Sequence, residues 1–325
     1  MPKKHRNIDS SFIGLTACST LIRTALHIPY LQDEKPVGIL LVSKPGMGKS
    51  LILTRFRSDN IVILNDLTGY GLERTVIELE SKGAGYVIVP DILRLMTRKL
   101  GWQAFLTLSN ILLEEGLSGI RRADADLKFK RPVHFGILTA ITVDTLRQNL
   151  PYFNAIGFSS RFGMFSYGYE RSDSEQVETI ISKQAPDDKL VFEINRAKKE
   201  KNRVKIAVTT EMSGYIRLLG RRMAYNNGRY MNFRSIGFMR KLAKAHALSC
   251  NRKKVTIEDI RAINALLPFF VGSNGDATDL EHFILKGQKV RELMKRYTWG
   301  EITKAQERLK AKGLSREMLP ENGDR

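Results

Sequence analysis

Apolar residues change their spacing several times along the chain, and each change marks an element. Continuous apolar runs that end in polar or glycine-rich stretches occur at Val37–Val42, Ile61–Leu64, Tyr86–Val89, His134–Thr139 and Met164–Tyr167. Runs of this kind predict short strands of a parallel sheet covered on both faces. Between them, helical spacing predicts helices over Leu51–Arg57, Leu72–Ser81 and Ile92–Glu115, the last broken at Gly101. Upstream, Asp9–Leu31 reads as a helical leader stopped by Pro29, joined to the first strand by polar residues 32–35. Gly116–Pro132 reads as a basic loop or hairpin carrying Arg121, Arg122, Lys128, Lys130 and Arg131; it either faces a polyanion or is simply solvated.

Strands alternating with helices predict an α/β domain over 36–173, behind a leader over 1–35. From 174 to 275 the strand signal gives way to amphipathic helices over Thr210–Met223, Asn232–Leu248 and Ile257–Leu267. Thr256 and Asp259 form a variant capping box for the last of these. After the break at Gly272–Gly275, residues 276–325 read as a small basic helix pair. Leu280–Tyr297 is followed by a helix capped at Thr298 and Glu301, with Ile302, Ala305 and Leu309 facing inward. A helix-turn-helix or winged-helix element has this form, and so does a basic oligomer brace.

Composition narrows the partners. The 325 residues carry 53 Lys and Arg against 34 Asp and Glu, a formal charge of +19. Such an excess repels itself in a compact chain unless a polyanion shares the surface, so nucleic acid is the expected partner. No run of 18 apolar residues occurs, and the basic start lacks the apolar stretch of a signal peptide, which predicts a cytoplasmic protein without membrane spans. Cys18 and Cys250 have no metal spacing and read as ordinary buried thiols of a reducing compartment.

The strongest local chemistry lies directly after the first strand. Ser43 to Ser50 reads S-K-P-G-M-G-K-S and matches G-x-x-x-x-G-K-[ST] with Ser43 in place of the first Gly. Between a buried strand and a helix, this pattern wraps backbone N–H groups around a phosphate. The expected nucleotide-binding residues are Ser43, Pro45, Gly46, Met47, Gly48, Lys49, Ser50 and Leu51. Lys49 is expected on the β and γ phosphates, and the Ser50 hydroxyl on Mg²⁺. Four apolar residues then run into Pro90 and Asp91, the pattern of a strand whose terminal carboxylate holds Mg²⁺; Ile92 stands where a water-polarising Glu is common. Thr139, or Thr142 shortly after, is placed to sense a γ-phosphate.

Taken in order, Lys49, the strand into Asp91, the strand into Thr139 and the S-R-F of Ser160, Arg161 and Phe162 resemble the AAA+ ATPases. The resemblance spans roughly 35–270. It implies an ATP- and Mg²⁺-dependent enzyme in which Arg161 reaches the nucleotide of a neighbouring subunit, and hence a hexamer-like ring or a helical filament. The 174–275 region resembles the lid of the MoxR, magnesium-chelatase and minichromosome-maintenance branches. That resemblance assigns Arg234 as the second sensor, closing the lid on the γ-phosphate, with Arg221, Arg222, Arg229 and Arg240 as competitors. Asn65 matches the polar position that communicates with the catalytic Glu in many members.

The combined expectation is an ATPase acting on DNA in replication, recombination, transposition or another mobile-element process. Three alternatives stand beside it. A MoxR-like protein-remodelling chaperone would use its basic loops on acidic proteins. An ATP-gated scaffold without turnover is motivated by Ile92. A small-molecule phosphotransferase would use Asp66, rather than Asp91, on Mg²⁺.

Overall fold

The alternation of side chains along the central strands explains the layering. In the computed structural model, which describes residues 13–57, 61–65, 69–81, 85–121, 126–169, 171–182, 192–193, 203–226, 233–270, 284 and 299–311, β1 (Gly38–Ser43) is buried at every position. Ile39 and Leu41 point into one apolar core and Leu40 and Val42 into another. A strand with two buried faces needs helices on both sides. The order along the chain is α1 (Thr16–Ala25), β1, α2 (Lys49–Thr54), β2 (Phe56–Arg57), β3 (Ile61–Ile63), α3 (Gly69–Ser81) and β4 (Tyr86–Val89). There follow α4 (Leu93–Met96), α5 (Lys99–Asn110), a π turn (Ile111–Glu115), the β5 (Leu117–Arg121) and β6 (Asp126–Val133) hairpin, β7 (Gly136–Thr142), α6 (Val143–Ala155) and β8 (Phe162–Ser166).

β3, β4, β7, β1 and β8 form one five-stranded sheet in that order, every neighbouring pair parallel. The fold is therefore mixed α/β with a parallel sheet flanked by helices, compatible with a Rossmann-like or P-loop arrangement. The chain leaves β1 for β3 on one side and later crosses β1 to reach β8 on the other, so the C-terminal end of β1 is a switch point of the sheet, where ligands of such sheets bind. The approach of β7 to its neighbour is tight: a Cβ at Gly136 would lie 2.0 Å from the Tyr86 ring.

Beyond β8 come α7 (Arg171–Ser182), β9 (Phe192–Glu193), α8 (Thr210–Asn226), α9 (Phe233–Ser249) and α10 (Ile257–Leu266). The apolar faces of α8, α9 and α10 share one core with α1, α2 and one face of the sheet, through Ile22, Leu53, Leu219, Met239, Leu242 and Ile263 among others. Cys18 lies in this core, whereas Cys250, expected to be buried, is exposed because it falls just past the end of α9. The capping-box acid has a second task. Asp259 is fully buried and accepts from the Thr256 backbone N–H at 2.8 Å, from the Thr256 hydroxyl, from His246 Nδ1 at 2.7 Å and from Arg252. Burial alone would push this carboxyl up, but those donors outweigh it and hold it below the ordinary range. Of the C-terminal region, α11 (Trp299–Ala311) is described, with Ile302, Ala305 and Leu309 buried as their spacing predicts. The expected Leu280–Tyr297 helix and the Gly272–Gly275 break lie outside the described residues, apart from Ile284.

Several boundaries differ from the sequence reading, each for a local reason. Residues 9–12 of the expected leader lie outside the described residues; from Ile13 on, its helix covers Thr16–Ala25 and gives way to a 3₁₀ turn over Ile28–Tyr30, which Pro29 opens because it needs no N–H there. Helix α2 ends at Thr54, since Phe56 and Arg57 pair with Phe192 and Glu193. The Ile92–Glu115 helix breaks at Thr97–Arg98, whereas Gly101 is buried inside α5. Of the two forms expected after Gly116, loop or hairpin, the chain takes the antiparallel hairpin. The strand expected to close at Thr139 runs on to Thr142, because Ala140 and Ile141 pair with Leu41 and Val42. The last strand is Phe162–Ser166, two residues earlier at its start than expected.

Candidate functional site at the two edges of the sheet

The loop between β1 and α2 owes its shape to two glycines. Gly46 and Gly48 adopt φ of +76° and +70°, a region that other residues enter at a cost of about 1 kcal/mol or more. A Cβ on Gly46 would meet nothing within 4 Å, so its role is conformational; a Cβ on Gly48 would lie 3.1 Å from the Tyr169 hydroxyl and 3.4 Å from Leu15. Ser43 ends β1 in ordinary extended pairing with Thr142 and is 1% exposed. This position therefore needs a small side chain and no left-handed backbone. The substitution of Ser for Gly leaves the turn intact and adds a hydroxyl that donates to the Lys44 carbonyl at 3.3 Å.

Lys49 Nζ folds back into the loop, donating to the Lys44 carbonyl at 2.6 Å, the Ser43 carbonyl at 3.0 Å and the Ser43 hydroxyl at 3.2 Å. Burial pushes its pKa below the ordinary 10.5, and the nearby Asp91 carboxylate opposes the shift. The Ser50 hydroxyl donates to the Pro90 carbonyl at 3.1 Å, which joins the loop to the end of β4, two strands away, beside Asp91. Asp91 is exposed, and its Oδ1 accepts from the Leu93 N–H at 3.0 Å. From the far side of β1, Tyr167 Oη donates to the Met47 carbonyl at 2.9 Å, and burial drives its pKa up. Lys44, Pro45, Gly46, Ser50 and Leu51 remain open to solvent, whereas Ile92 is fully buried.

The donor set fits a magnesium-bound polyphosphate. Magnesium on a nucleotide takes one or two protein oxygens and draws the rest of its shell from phosphates and water. Ser50 and Asp91 would supply such a pair, and among the described residues no group of three or more His, Cys, Asp or Glu forms a separate metal site. Asn65, exposed after β3, ends at the same edge. Asp66 lies outside the described residues, and β3 is separated from β1 by β4 and β7. Thr139 sits inside β7, paired with Leu40 and Val89, and its buried hydroxyl finds no partner among the described residues. Thr142 is the threonine at the edge, level with Ser43, and its hydroxyl caps α6 by accepting from the Thr145 N–H at 3.3 Å.

Arg161 and Arg234 are at the other end of the sheet. Gly38, the first residue of β1, pairs with Phe162, so Arg161 lies beyond the N-terminal edge. The five residue steps from Gly38 to Ser43 span roughly 17 Å. That is farther than an arginine side chain reaches, and neither residue approaches its own loop. Instead the two meet. Arg161 Nη2 and Arg234 Nη2 pair with the two oxygens of Glu114, at 2.8 and 2.5 Å. Arg161 Nη1 donates to the Gly157 carbonyl at 2.8 Å, and Arg234 Nη1 donates to the Ser160 hydroxyl at 2.6 Å. Phe158 and Phe162 stack at 4.3 Å on either side of the S-R turn and anchor it in the core.

These groups border a cavity of about 390 Å³, to which Lys35, Arg240 and Lys241 also contribute. Glu114 and Lys35 escaped the sequence reading because neither belongs to a motif. Arg240 enters the cavity as well, from the same helix as Arg234, with Nε 3.2 Å from the buried Glu34. Arg229 lies outside the described residues, and neither Arg221 nor Arg222 lines the cavity. Scanned against protein-family models and against curated proteins, the chain matches none.

Proposed function

We propose that the protein is an AAA+ type ATPase that binds Mg·ATP at the Gly46–Ser50 loop, assembles into a ring or filament, and acts on DNA. The observation that carries this reading is the division of charge between the edges. Phosphate donors collect at the C-terminal end of β1, while two guanidiniums wait at the N-terminal end, out of reach of the same chain's loop. A second copy stacked edge to edge would bring its triphosphate to Arg161 and Arg234. On this reading Arg234 serves the neighbour's nucleotide, not its own. Lys49 would neutralise the phosphates, Ser50 and Asp91 would hold the magnesium, and the metal when bound would draw charge from the terminal phosphate.

DNA is the proposed substrate because of the +19 charge and the β5–β6 hairpin. Lys128, Lys130 and Arg131 are exposed there, while Phe129 and Val133 pack on the core. Electron microscopy of the purified chain with a non-hydrolysable ATP analogue, with and without duplex DNA, tests the reading. Rings or filaments that form only with nucleotide support it; monodisperse single chains under every condition refute it. DNA affinity should fall steeply with salt, since each neutralised phosphate releases counterions.

One specific feature favours a second reading, an ATP-gated scaffold with little turnover. Ile92, fully buried in the core, cannot stand in for a base. Nucleotide binding with turnover at background, with and without DNA, would select the scaffold.

A further inference from the structure

We infer that Glu114 occupies the place of a phosphate oxygen in the basic cavity and competes with an incoming polyphosphate for Arg161 and Arg234. The inference rests on the reading that this arginine pair serves a neighbour's nucleotide, and it adds the device that keeps the pair in check. A carboxylate that gives one oxygen to each of two guanidiniums makes the same charge-assisted contacts as a terminal phosphate. Here both oxygens are so engaged. One negative charge against two guanidiniums, with Lys35 Nζ donating to the Glu114 backbone carbonyl at 2.5 Å, leaves the cluster positive. Arg161 Nε is buried and finds no partner among the described residues, so the guanidinium retains an unused donor. The Glu114 side chain is 28% exposed, which allows solvent and ligand to reach it.

The backbone places Glu114 by an uncommon route. Residues 111–115 form a π turn closed by the Gly116 N–H on the Ile111 carbonyl at 2.7 Å. Gly116 stops it at φ +83°, where a Cβ would lie 2.7 Å from the His134 ring. The wide turn keeps Leu112 and Leu113 in the core while sending the next residue to the cavity. Single π turns concentrate at functional sites, because the extra residue redirects a side chain at the cost of regular hydrogen bonding. A residue that served only to hold the arginines would aid anion binding; one that stands in the anion's place hinders it. The two roles differ in sign.

The test uses the full chain carrying Lys49→Ala, which removes the chain's own phosphate loop from the measurement, and inorganic tripolyphosphate as the probe. Titration calorimetry should show Lys49→Ala/Glu114→Gln binding tripolyphosphate roughly tenfold tighter than Lys49→Ala alone, as expected for removing one like charge at contact distance. Adding Arg161→Ala and Arg234→Ala should eliminate that gain. Equal or weaker binding by the Gln variant overturns the inference, as does a gain that survives loss of both arginines. If circular dichroism shows the Gln variant unfolded, Glu114→Asp in the same background replaces it, with a smaller gain expected and no gain overturning the inference. Sedimentation of the unmodified chain with an ATP analogue is read separately. Failure to associate there removes the assembly reading, while a tripolyphosphate gain would still identify the cavity as an anion site that Glu114 guards.

Discussion

The two edges of the central sheet both gather cationic side chains, but by opposite means. At the C-terminal edge the pattern is one run of consecutive residues, Ser43 to Ser50, and the shape of its loop follows from backbone torsions at Gly46 and Gly48. At the N-terminal edge the cavity draws Lys35, Glu114, Arg161 and Arg234 from four separate stretches, held together by the Phe158–Phe162 stack and by α9. The first can be written in a motif because neighbours in sequence are neighbours in space. The second exists only after packing, so each of its residues looks ordinary in the chain.

The sharpest way to break the comparison is to disable one edge at a time. Arg161→Ala should leave nucleotide binding within about twofold, since Arg161 is far from its own loop, yet lower turnover on the order of a thousandfold, the effect of losing an arginine finger. Mixing it with Lys49→Ala chains should restore part of the turnover, because each variant keeps the edge the other lacks. Steady-state ATPase assays of the single variants and the mixture check both statements, and an inactive mixture would show that the edges do not meet between chains.

Lys49→Ala by itself should weaken ATP binding on the order of a hundredfold, as for a lost charged donor, measured by fluorescence titration with a labelled analogue. A smaller change belongs to Gly157, whose φ is +72° and whose Cβ would sit 2.5 Å from Arg161 Nη1. Gly157→Ala should cost about 1–2 kcal/mol in thermal or urea unfolding and reduce turnover while sparing ATP affinity, because the guanidinium must move.

The smallest effect is one of pH. The Lys49 pKa is lowered by burial in the free protein and would be raised by bound phosphate, so binding takes up a proton between those two values. ATP affinity should therefore fall as pH rises, beginning below the ordinary lysine range. In Lys49→Arg any remaining affinity should stay flat there, because arginine does not titrate. At the N-terminal edge burial also lowers Lys241, which lines the cavity. An affinity that does not change up to the ordinary lysine range would place the phosphate away from Lys49.

Legibility varied with how local the cause was. The five strands β1, β3, β4, β7 and β8 were readable from apolar runs, since packing on both faces favours that composition. Strand β7 was read three residues short because Thr139 looks like a polar end. In the sheet its hydroxyl is simply buried, and pairing with β1 carries the strand to Thr142. Glu114 was read as one more residue of a helix. Nothing in its neighbours announces the π turn, apart from Gly116 two positions on.

By itself the sequence determined the glycine-shaped loop after β1, the parallel α/β class and the presence of Arg161 on an aromatic turn. Glycine torsions, apolar runs and aromatic anchors all act over a few residues. Tertiary structure alone decided that β7 lies between β4 and β1, so that Ser50 meets the end of a strand two places away, and that Arg234 joins Arg161 instead of the loop. Those outcomes depend on which faces pack together. The free energy of packing is summed over the whole core, and no short stretch of chain carries it.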